Sequence, residues 1–411
     1  MINLEVPKKF GALVNQARQA ANEIFRPISR KYDNAEHSYP SELDMLAALI
    51  DGLNSSGEGG AGAAGDRSNG SAKAKKPTES TVDNGNRNGA NLATVLGTIE
   101  MCWGDAALLL SMPRQGLGNA AIAAVADDEQ QARFGHKWAA MAITEPEFGS
   151  DSAAVSTTAA LDGDEYVLNG EKIFVTAGER AEAVVVWASL DRSKGRAAIK
   201  SFVVEKGTPG FEVVRLEHKL GIRASDTAVL RFTDCRVPKE NLLGSPEVDV
   251  KRGFAGVMQT FDNTRPLVAA MAVGLARAAL DDIERILAEA GVRVDYDKPA
   301  HAQHAAAASY LRMLADWEAA RLLTMKAAWM ADNRTPNSLE ASMSKAKAGR
   351  SVTDITLQCV QLAGSLGYTE ASLLEKWARD AKIMDIFEGT QQIQQLIVAR
   401  RLLGKSSTEL K

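Results

Sequence analysis

Cysteine and histidine are scarce in this chain, whose 411 residues include three cysteines and five histidines. The cysteines lie far apart in the sequence and form no C-x-x-C pair, which argues against both a disulfide framework and a zinc motif. Among the histidines, only His301 and His304 are close together in the sequence, and they show no metal-ligand spacing. We therefore expect no metal site, and we expect the chemistry to depend on other residue types.

The sequence also lacks a strong net charge and a long apolar run. Its formal net charge of −4 gives no reason to expect binding to nucleic acid or to an acidic membrane face. The N-terminus has no hydrophobic signal core, and no apolar run is long enough to span a bilayer. With 45% hydrophobic and 24% charged residues, the chain has an ordinary globular composition, and we expect a soluble cytoplasmic protein.

Several familiar catalytic signatures are missing as well. There is no G-x-x-x-x-G-K-[ST] phosphate loop, and no G-x-G-x-x-G opens a helix after a strand. A G-x-S-x-G nucleophile elbow is also absent. These absences argue against a P-loop nucleotidase, a Rossmann-type nicotinamide enzyme and a serine hydrolase.

The first third of the chain has a helical hydrophobic pattern. Apolar residues recur at three- and four-residue spacing from Lys9 to Gly52, and the pattern resumes from Asn91 to Phe134. Residues 54–91 contain almost no large apolar side chain, so they cannot offset the entropy of ordering and are expected to form a flexible loop. The pattern predicts an N-terminal helical domain over residues 1–136.

The hydrophobic period changes to two between Ala139 and Gly244. The segment "DEYVLNGEKIFVTAG" predicts two short strands joined by a turn at Asn169–Gly170, and further alternating segments follow. The spacing predicts an antiparallel β domain over residues 137–246, built as a sandwich or a barrel. Residues 247–411 contain long Ala-rich helical patterns with short connections, which predict an antiparallel helical bundle. The fold class is therefore α+β, in the order helical, β, helical.

Three short segments could carry chemistry. The segment "MAITEPEFGSDSAA" offers hydroxyl and backbone N–H groups to a flat polar ligand, and Phe174 and Thr176 alternate on one side of a strand. Taken alone, an ordinary polar turn and a half-buried strand explain these two segments better. In "MDIFEGTQQIQ", Glu388 is either a catalytic base or an acid at a helix N-terminus, where the macrodipole favours negative charge.

Together with other segments, these motifs resemble the acyl-CoA dehydrogenases in sequence and in order. The matching segments are "ITEPEFGSD", "NGEKIFVTAG", "LGIRASDTAVLRFTDCRVPKENLLG", "FDNTRPLVAAMAVGLARAALD", "QLAGSLGY" and "IFEGTQQIQQLIVAR". The resemblance spans nearly the whole chain and implies an N-terminal α domain, a middle β domain and a C-terminal four-helix bundle. It also implies FAD held between the middle and C-terminal domains, usually in a homotetramer.

The resemblance implies a reaction and a set of site residues. An acyl-CoA thioester is oxidised to the trans-2-enoyl-CoA, and the electrons pass to an electron-transferring flavoprotein. Glu388 would remove the α proton while the β hydrogen passes as hydride to flavin N5. The residues implied for FAD are Met141, Ile143, Thr144, Gly149, Ser150, Phe174, Thr176, Arg293, Gln361, Gly364, Thr390 and Gln392. Those implied for the acyl-CoA are Ser150, Asp262, Arg265 and Gly389.

The sequence departs from the family pattern at several places. Phe174 stands where the family usually has Trp, and Phe387 where it has Tyr before the glutamate. Asp297 replaces the glycine of an R-x-x-F-G motif that begins here at Arg293, and a negative charge near the FAD pyrophosphate is unfavourable. Residues 54–91 replace a segment that helps to shape the acyl site. These departures leave two alternatives open: a partner subunit of a heteromeric dehydrogenase with weakened FAD binding, and a relative with other flavin chemistry.

Overall fold

The computed structural model describes residues 5–55, 87–113, 116–248, 255–406 and 409, with residues 49–55 and 255–263 described by their backbone alone. Most of the predicted loop 54–91 lies outside the described residues. Within the described ranges the N-terminal part is helical, as its hydrophobic period predicts. Its helices are α1 (Gly11–Ala20), α2 (Arg26–Asn34), α3 (Glu42–Ser55), α4 (Ala90–Gly104), α5 (Ala106–Leu110), α6 (Leu117–Val125) and α7 (Asp128–Phe134).

The middle of the chain forms one seven-stranded sheet. Its strands are β1 (Ala139–Ala142), β2 (Thr158–Asp162), β3 (Glu165–Thr176), β4 (Ala183–Ser189), β5 (Ile199–Glu205), β6 (Phe211–Leu216) and β7 (Thr227–Pro238). The strand order is β1-β4-β2-β3-β7-β6, with β5 paired to β4. Most neighbours are antiparallel, as predicted, but β4 runs parallel to β1 and, at one residue pair, to β2. The antiparallel hairpin of β2 and β3 lies between β1 and β4 in sequence.

The predicted turn at Asn169–Gly170 is wrong. Strand β3 runs without interruption through both residues, and the sharp reversal occurs before it, at Gly163. Gly170 is instead needed for close packing, since a Cβ there would lie 2.4 Å from the hydroxyl oxygen of Thr157. The register of β3 against β7 shifts between Leu168 and Gly170, so this glycine marks an irregularity within a strand.

Strand β4 is buried on both faces of the sheet. Val184, Val186 and Ala188 pack into one apolar cluster, with Phe202 of β5 and Leu230 of β7. The alternate residues face a second cluster, which contains Ile122 of α6 and Phe134 of α7; they are Ala183, Val185 and Trp187. The sheet is therefore covered on one side by the helices that precede it.

The C-terminal part is a helical bundle. Its helices are α8 (Ala255–Glu289), α9 (Ala305–Asp332), α10 (Ser338–Ala363), α11 (Ser365–Tyr368), α12 (Leu374–Ala381) and α13 (Gln391–Leu403). The core of the bundle includes Leu280, Met313 and Ile355, and α4 adds Leu96 and Ile99 to the same apolar cluster. No helix in the described ranges combines the length and apolar character that a membrane crossing requires.

A buried ionic cluster joins α12 to the rest of the molecule. Lys376 donates to the carboxylates of Asp105 at 2.7 Å and Asp380 at 2.6 Å, and all three side chains are buried. Asp380 also accepts from the backbone N–H of Ile222, in the loop between β6 and β7. The adjacent Arg379 binds Asp33 of α2 at 2.6 Å. Helix α12 is thus fixed to the N-terminal helices and to the middle sheet, a few residues before Glu388.

Candidate active site

Glu388 lies in a tight turn between α12 and α13. After the 3-10 turn Lys382–Asp385, the backbone enters the left-handed region at Glu388, with a φ of 55°, and at Gly389, with a φ of 88°. Thr390 then caps α13 by accepting from the N–H of Ile393. Glu388 therefore lies two residues before the N-cap and outside the first helical turn, where an acid would gain most from the macrodipole. Helix stabilisation does not explain its position.

The carboxylate of Glu388 is held by residues of α8. The hydroxyl of Thr264 donates to its Oε2 at 2.9 Å, and the guanidinium of Arg265, 3% exposed, lies close enough to act on it electrostatically. Loss of solvation raises the pKa of Glu388 above the usual glutamate value, while the Thr264 hydrogen bond and the charges of Arg265 and Lys345 oppose that rise. The result is a stronger base than an exposed glutamate.

Two buried side chains hold the backbone of this turn. Lys345 of α10 donates to the carbonyl of Gly389 at 2.7 Å. Gln394 of α13 donates through Nε2 to the carbonyls of Glu388 at 3.0 Å and of Gly389 at 3.2 Å. The φ of 88° at Gly389 favours glycine, and a Cβ there would also lie 2.5 Å from this Nε2, so that the Gln394 side chain would have to shift. Among the described residues, the backbone N–H of Glu388 has no acceptor.

The "ITEPEFGSD" loop, which contains several predicted site residues, is held by a network around Glu145. The carboxylate of Glu145 accepts from the backbone and hydroxyl groups of Ser156 and Thr157 and from the ammonium of Lys172 at 2.7 Å. Lys172 also donates to the carbonyl of Ile143, and the N–H of Ile173 donates to the carbonyl of Thr144. Burial lowers the pKa of Lys172 to about 8, despite the opposing effect of Glu145. The loop is thus fixed to β3 by a buried ion pair.

Phe174 is exposed beside this loop. The register of β3 shifts between Lys172 and Val175, and Phe174 takes a left-handed φ of 56° with 60% of its surface exposed. Val175 is buried and Thr176 is half-buried, so Phe174 and Thr176 both avoid the sheet core, as their alternation predicts. A large aromatic side chain in a strained backbone conformation, open to solvent, is a feature found at ligand sites.

The predicted site residues differ in exposure. Gly149, Ser150, Gln361, Gly364 and Gln392 are exposed, and Met141, Ile143, Thr144, Gly389 and Thr390 are half-buried. The side chain of Asp262 lies outside the described residues.

The loop that departs from the family pattern follows α8. Arg293 is exposed in this loop, and the exposed Asp297 donates its N–H to the carboxylate of Asp295. Tyr296 turns back to donate to Glu284 at 2.9 Å. The effect of Asp297 on a bound pyrophosphate stays a prediction.

Two family models match the chain. They are the acyl-CoA dehydrogenase middle domain, over residues 140–235, and the acyl-CoA dehydrogenase C-terminal domain, over residues 251–403. The short-chain specific acyl-CoA dehydrogenase of Clostridium acetobutylicum is 38% identical over 268 residues, which cover 65% of this chain and 69% of that protein. The chain belongs to the acyl-CoA dehydrogenase family.

Two further members of the acyl-CoA dehydrogenase family define the extent of the similarity. The mitochondrial short-chain specific enzyme of Rattus norvegicus is 43% identical over 276 residues, covering 66% of this chain but only 64% of the rat protein. The solved structure of butyryl-CoA dehydrogenase from Megasphaera elsdenii matches with a TM-score of 0.82 at 30% identity, covering 98% of this chain and 100% of that chain. The predicted family and the α+β fold class are confirmed. The domain boundaries at residues 136–137 and 246–247 stay predictions.

Sequence reasoning missed three residues that contact the glutamate turn: Thr264, Lys345 and Gln394. Thr264 lies between Asp262 and Arg265, which the resemblance did assign, and Pro266 lies two positions later inside α8. Lys345 had a recognisable signal, since it occurs in "SMSKAKAG" among small residues, on the face of α10 that the structure buries. Nothing in the sequence around Gln394 distinguishes it from the glutamines beside it.

Proposed function

We propose that this chain is an FAD-dependent acyl-CoA dehydrogenase that converts an acyl-CoA thioester to the trans-2-enoyl-CoA. Glu388 is the base that removes the α proton. The observation that carries this proposal is the Glu388 carboxylate itself, which is held by Thr264 in a strained turn and has a raised pKa. Perturbed carboxylates in strained turns are characteristic of catalytic sites.

The surroundings of Glu388 suit proton abstraction. An α C–H beside a thioester is a weak acid, and its pKa lies far above the ordinary glutamate pKa of about 4.3. Desolvation narrows that gap by raising the pKa of the base, and the hydrogen bond from Thr264 favours the ionised form. The carboxylate is therefore more basic than it would be in water, while the Thr264 hydrogen bond supports its ionised form.

The same turn offers a donor for the developing enolate. The N–H of Glu388 has no acceptor among the described residues, and Lys345 and Gln394 fix the peptide groups that follow it. A fixed N–H directed at the thioester carbonyl would stabilise negative charge on the oxygen as the proton leaves. Base and oxyanion donor would then belong to the same residue.

The residues beside β3 fit a flavin. The exposed ring of Phe174 offers an apolar face, while Thr144 and Thr176 bring hydroxyl groups to the same part of the chain. We assign Met141, Ile143, Thr144, Gly149, Ser150, Phe174 and Thr176 to FAD from this chain, with Thr390 and Gln392 after the base. FAD, when bound, supplies the acceptor for the β hydride.

Assembly and partners follow from the same assignment. We assign Arg293, Gln361 and Gly364 to the FAD of a neighbouring subunit, and their exposure in the single chain supports this. Exposed apolar side chains nearby, Leu357, Leu366 and Tyr368, support a homotetramer formed through the bundle. An electron-transferring flavoprotein would reoxidise the enzyme. Ser150, Asp262, Arg265 and Gly389 are assigned to the acyl-CoA.

The proposal is tested with purified protein and FAD under anaerobic conditions. Butyryl-CoA, octanoyl-CoA and palmitoyl-CoA are added in turn, and bleaching of the flavin absorbance is followed with detection of the enoyl product. We expect bleaching by at least one substrate in the wild type and none in Glu388→Gln with normal FAD content. A colourless protein that takes up no FAD would instead support the partner-subunit alternative, and bleaching in the Gln variant would remove Glu388 as the base.

A further inference from the structure

Lys345 is a fully buried cation beside the glutamate turn. Its residue is 0% exposed in α10, next to the equally buried Ser344 and near Ser342. Removing an ammonium group from water is costly, so a buried lysine needs strong partners. Its one hydrogen bond among the described residues goes to a neutral group, the carbonyl of Gly389, at 2.7 Å.

The other fully buried lysines of the described ranges are bound differently. Lys172 contacts the carboxylate of Glu145 at 2.7 Å, and Lys376 contacts those of Asp105 and Asp380. Lys345 has no carboxylate within ion-pair distance in the described part of the chain, although Asp385 and Glu388 lie near enough to influence it. A simple structural ion pair therefore does not account for Lys345.

The location of its hydrogen bond points to a role in the site. The bond ends on the residue after Glu388, where two successive residues occupy the left-handed region. For a non-glycine residue such as Glu388, this conformation is unfavourable and persists only where the surroundings impose it. Gln394 supplies the second constraint by donating to the carbonyls of Glu388 and Gly389. Among the described residues, removing Lys345 would leave Gln394 as the one side-chain donor to the carbonyls of Glu388 and Gly389.

We propose that Lys345 is a positioning residue, which holds the Glu388–Gly389 turn in its left-handed conformation and keeps the Glu388 carboxylate directed at the substrate. This inference rests on the proposed function. It assigns to α10 a direct part in the geometry of a site whose base lies between α12 and α13.

The charge of Lys345 adds a pH signature to this geometry. Burial lowers the pKa of Lys345 to about 8, while Asp385 and Glu388 act to raise it and Arg265 to lower it. From α8, Thr264 and Arg265 face Glu388; Asp385 belongs to the 3-10 turn and contacts Lys382 at 3.3 Å and Arg350 at 3.7 Å. From α13, the neutral Gln394 faces the same turn. As the pH rises above about 8, Lys345 loses its proton and holds the Gly389 carbonyl less strongly.

The experiment compares Lys345→Met and Lys345→Arg with the wild type in the FAD-loaded enzyme. The rate of flavin bleaching by a saturating acyl-CoA that the wild type accepts is measured across the pH range, together with KM, FAD content and melting temperature. Lys345→Met should lower the maximal rate about 10- to 100-fold, as expected for a lost charge-assisted hydrogen bond, with KM and FAD content little changed. The alkaline decline near pH 8 should disappear from its profile.

Lys345→Arg separates positioning from folding, because arginine stays charged throughout the range. It should restore part of the rate lost in Lys345→Met and move the alkaline decline to higher pH. Lys347→Met is the matched control, since Lys347 is on the same helix but pairs with Asp316 at the surface. Its rate and pH profile should equal those of the wild type.

Failure of this inference is distinguishable from failure of the proposed function. If the wild type bleaches and Glu388→Gln does not, while Lys345→Met keeps the wild-type rate and profile, the role of Lys345 is refuted and the base assignment stands. If Lys345→Met does not fold, a Lys345→Arg variant with an unchanged alkaline decline refutes it equally. If the wild type itself never bleaches, the proposed function fails first, and this inference fails with it.

Discussion

The carboxylate of Asp380 accepts a 2.5 Å hydrogen bond from the backbone N–H of Ile222, 158 positions earlier in the chain. The loop around Gly221 and the helix around Arg379 lie in close contact. A Cβ at Gly221 would lie 2.4 Å from the carbonyl carbon of Arg379. Helix α12, which leads into the turn of Glu388, therefore rests on the loop between β6 and β7. The position of the proposed base thus depends on the middle sheet as well as on the bundle.

Lys376→Met should be strongly destabilising. Burial alone would lower the pKa of Lys376, but Asp105 and Asp380 together raise it, so the lysine stays charged between two buried carboxylates. Removing the cation leaves both carboxylates unpaired, and breaking such a buried pair costs about 3–5 kcal/mol of unfolding free energy. Urea denaturation of both proteins measures this loss of unfolding free energy. Lys347→Met, at the surface, should change stability by less than about 0.5 kcal/mol, and a similarly small loss in Lys376→Met would contradict the importance of the cluster.

Thr264→Val should lower activity without unfolding the protein. The valine cannot donate to Glu388, so the carboxylate loses a bond that favours its ionised form, and its pKa rises further. At neutral pH we expect a rate about tenfold lower, with the acidic limb of the rate profile moved to higher pH. Thr356→Val is the control, since Thr356 is equally buried but donates to the backbone of its own helix. An unshifted profile in Thr264→Val would mean that this bond does not tune the base.

Glu388→Gln should stabilise the protein in a pH-dependent manner. A raised pKa means that the folded state holds its proton more tightly than the unfolded state, so this group stabilises the fold at low pH. That contribution is lost as the pH rises through the folded pKa, whereas the neutral glutamine keeps it. The variant should therefore melt above the wild type at pH 8, and the difference should shrink as the pH falls towards the ordinary glutamate value of about 4.3.

Glu100→Gln provides the opposite case. Burial would raise the pKa of Glu100, but hydrogen bonds from Arg277 and Arg18 lower it. A pKa that is lower in the folded state stabilises the fold at every pH above the pKa of the unfolded state. The Gln variant loses this contribution, so it should be less stable than the wild type at pH 8. If both variants shifted melting in the same direction at pH 8, the environment assigned to Glu388 would be wrong.

The order of the three structural regions could be predicted because each has its own hydrophobic period. Long Ala-rich patterns identified α8, α9 and α10, and the change to a period of two identified the sheet. The Asn169–Gly170 turn was predicted wrongly, since the dipeptide has hairpin chemistry but its glycine serves the contact with Thr157. Local sequence does not show which backbone approaches a glycine. It also cannot show that β1 pairs in parallel with β4.

At the candidate site, the sequence pointed to Glu388 as the proposed base but not to the residues that contact it. Glu388 occurs in a recognisable motif, whereas Lys345 and Thr264 contact the turn across 44 and 124 positions of the chain. Such partners are set by helix packing, which no local pattern encodes. The ion pair of Glu145 with Lys172 was missed for the same reason, although both residues lie within segments that carried the family resemblance.

Phe174 should be replaceable at little cost to the fold but at a cost to cofactor binding. Its ring is 60% exposed and its φ is 56°, a conformation that favours glycine. Phe174→Gly should leave the melting temperature of the FAD-free protein unchanged or raise it, because relief of the left-handed conformation offers about 1 kcal/mol. FAD affinity, measured by fluorescence titration of the FAD-free protein, should fall about tenfold as the aromatic contact is lost.

Phe174→Trp, which restores the side chain usual in the family, should bind FAD at least as tightly as the wild type. Equal FAD affinity in all three proteins would show that this ring does not contact the flavin.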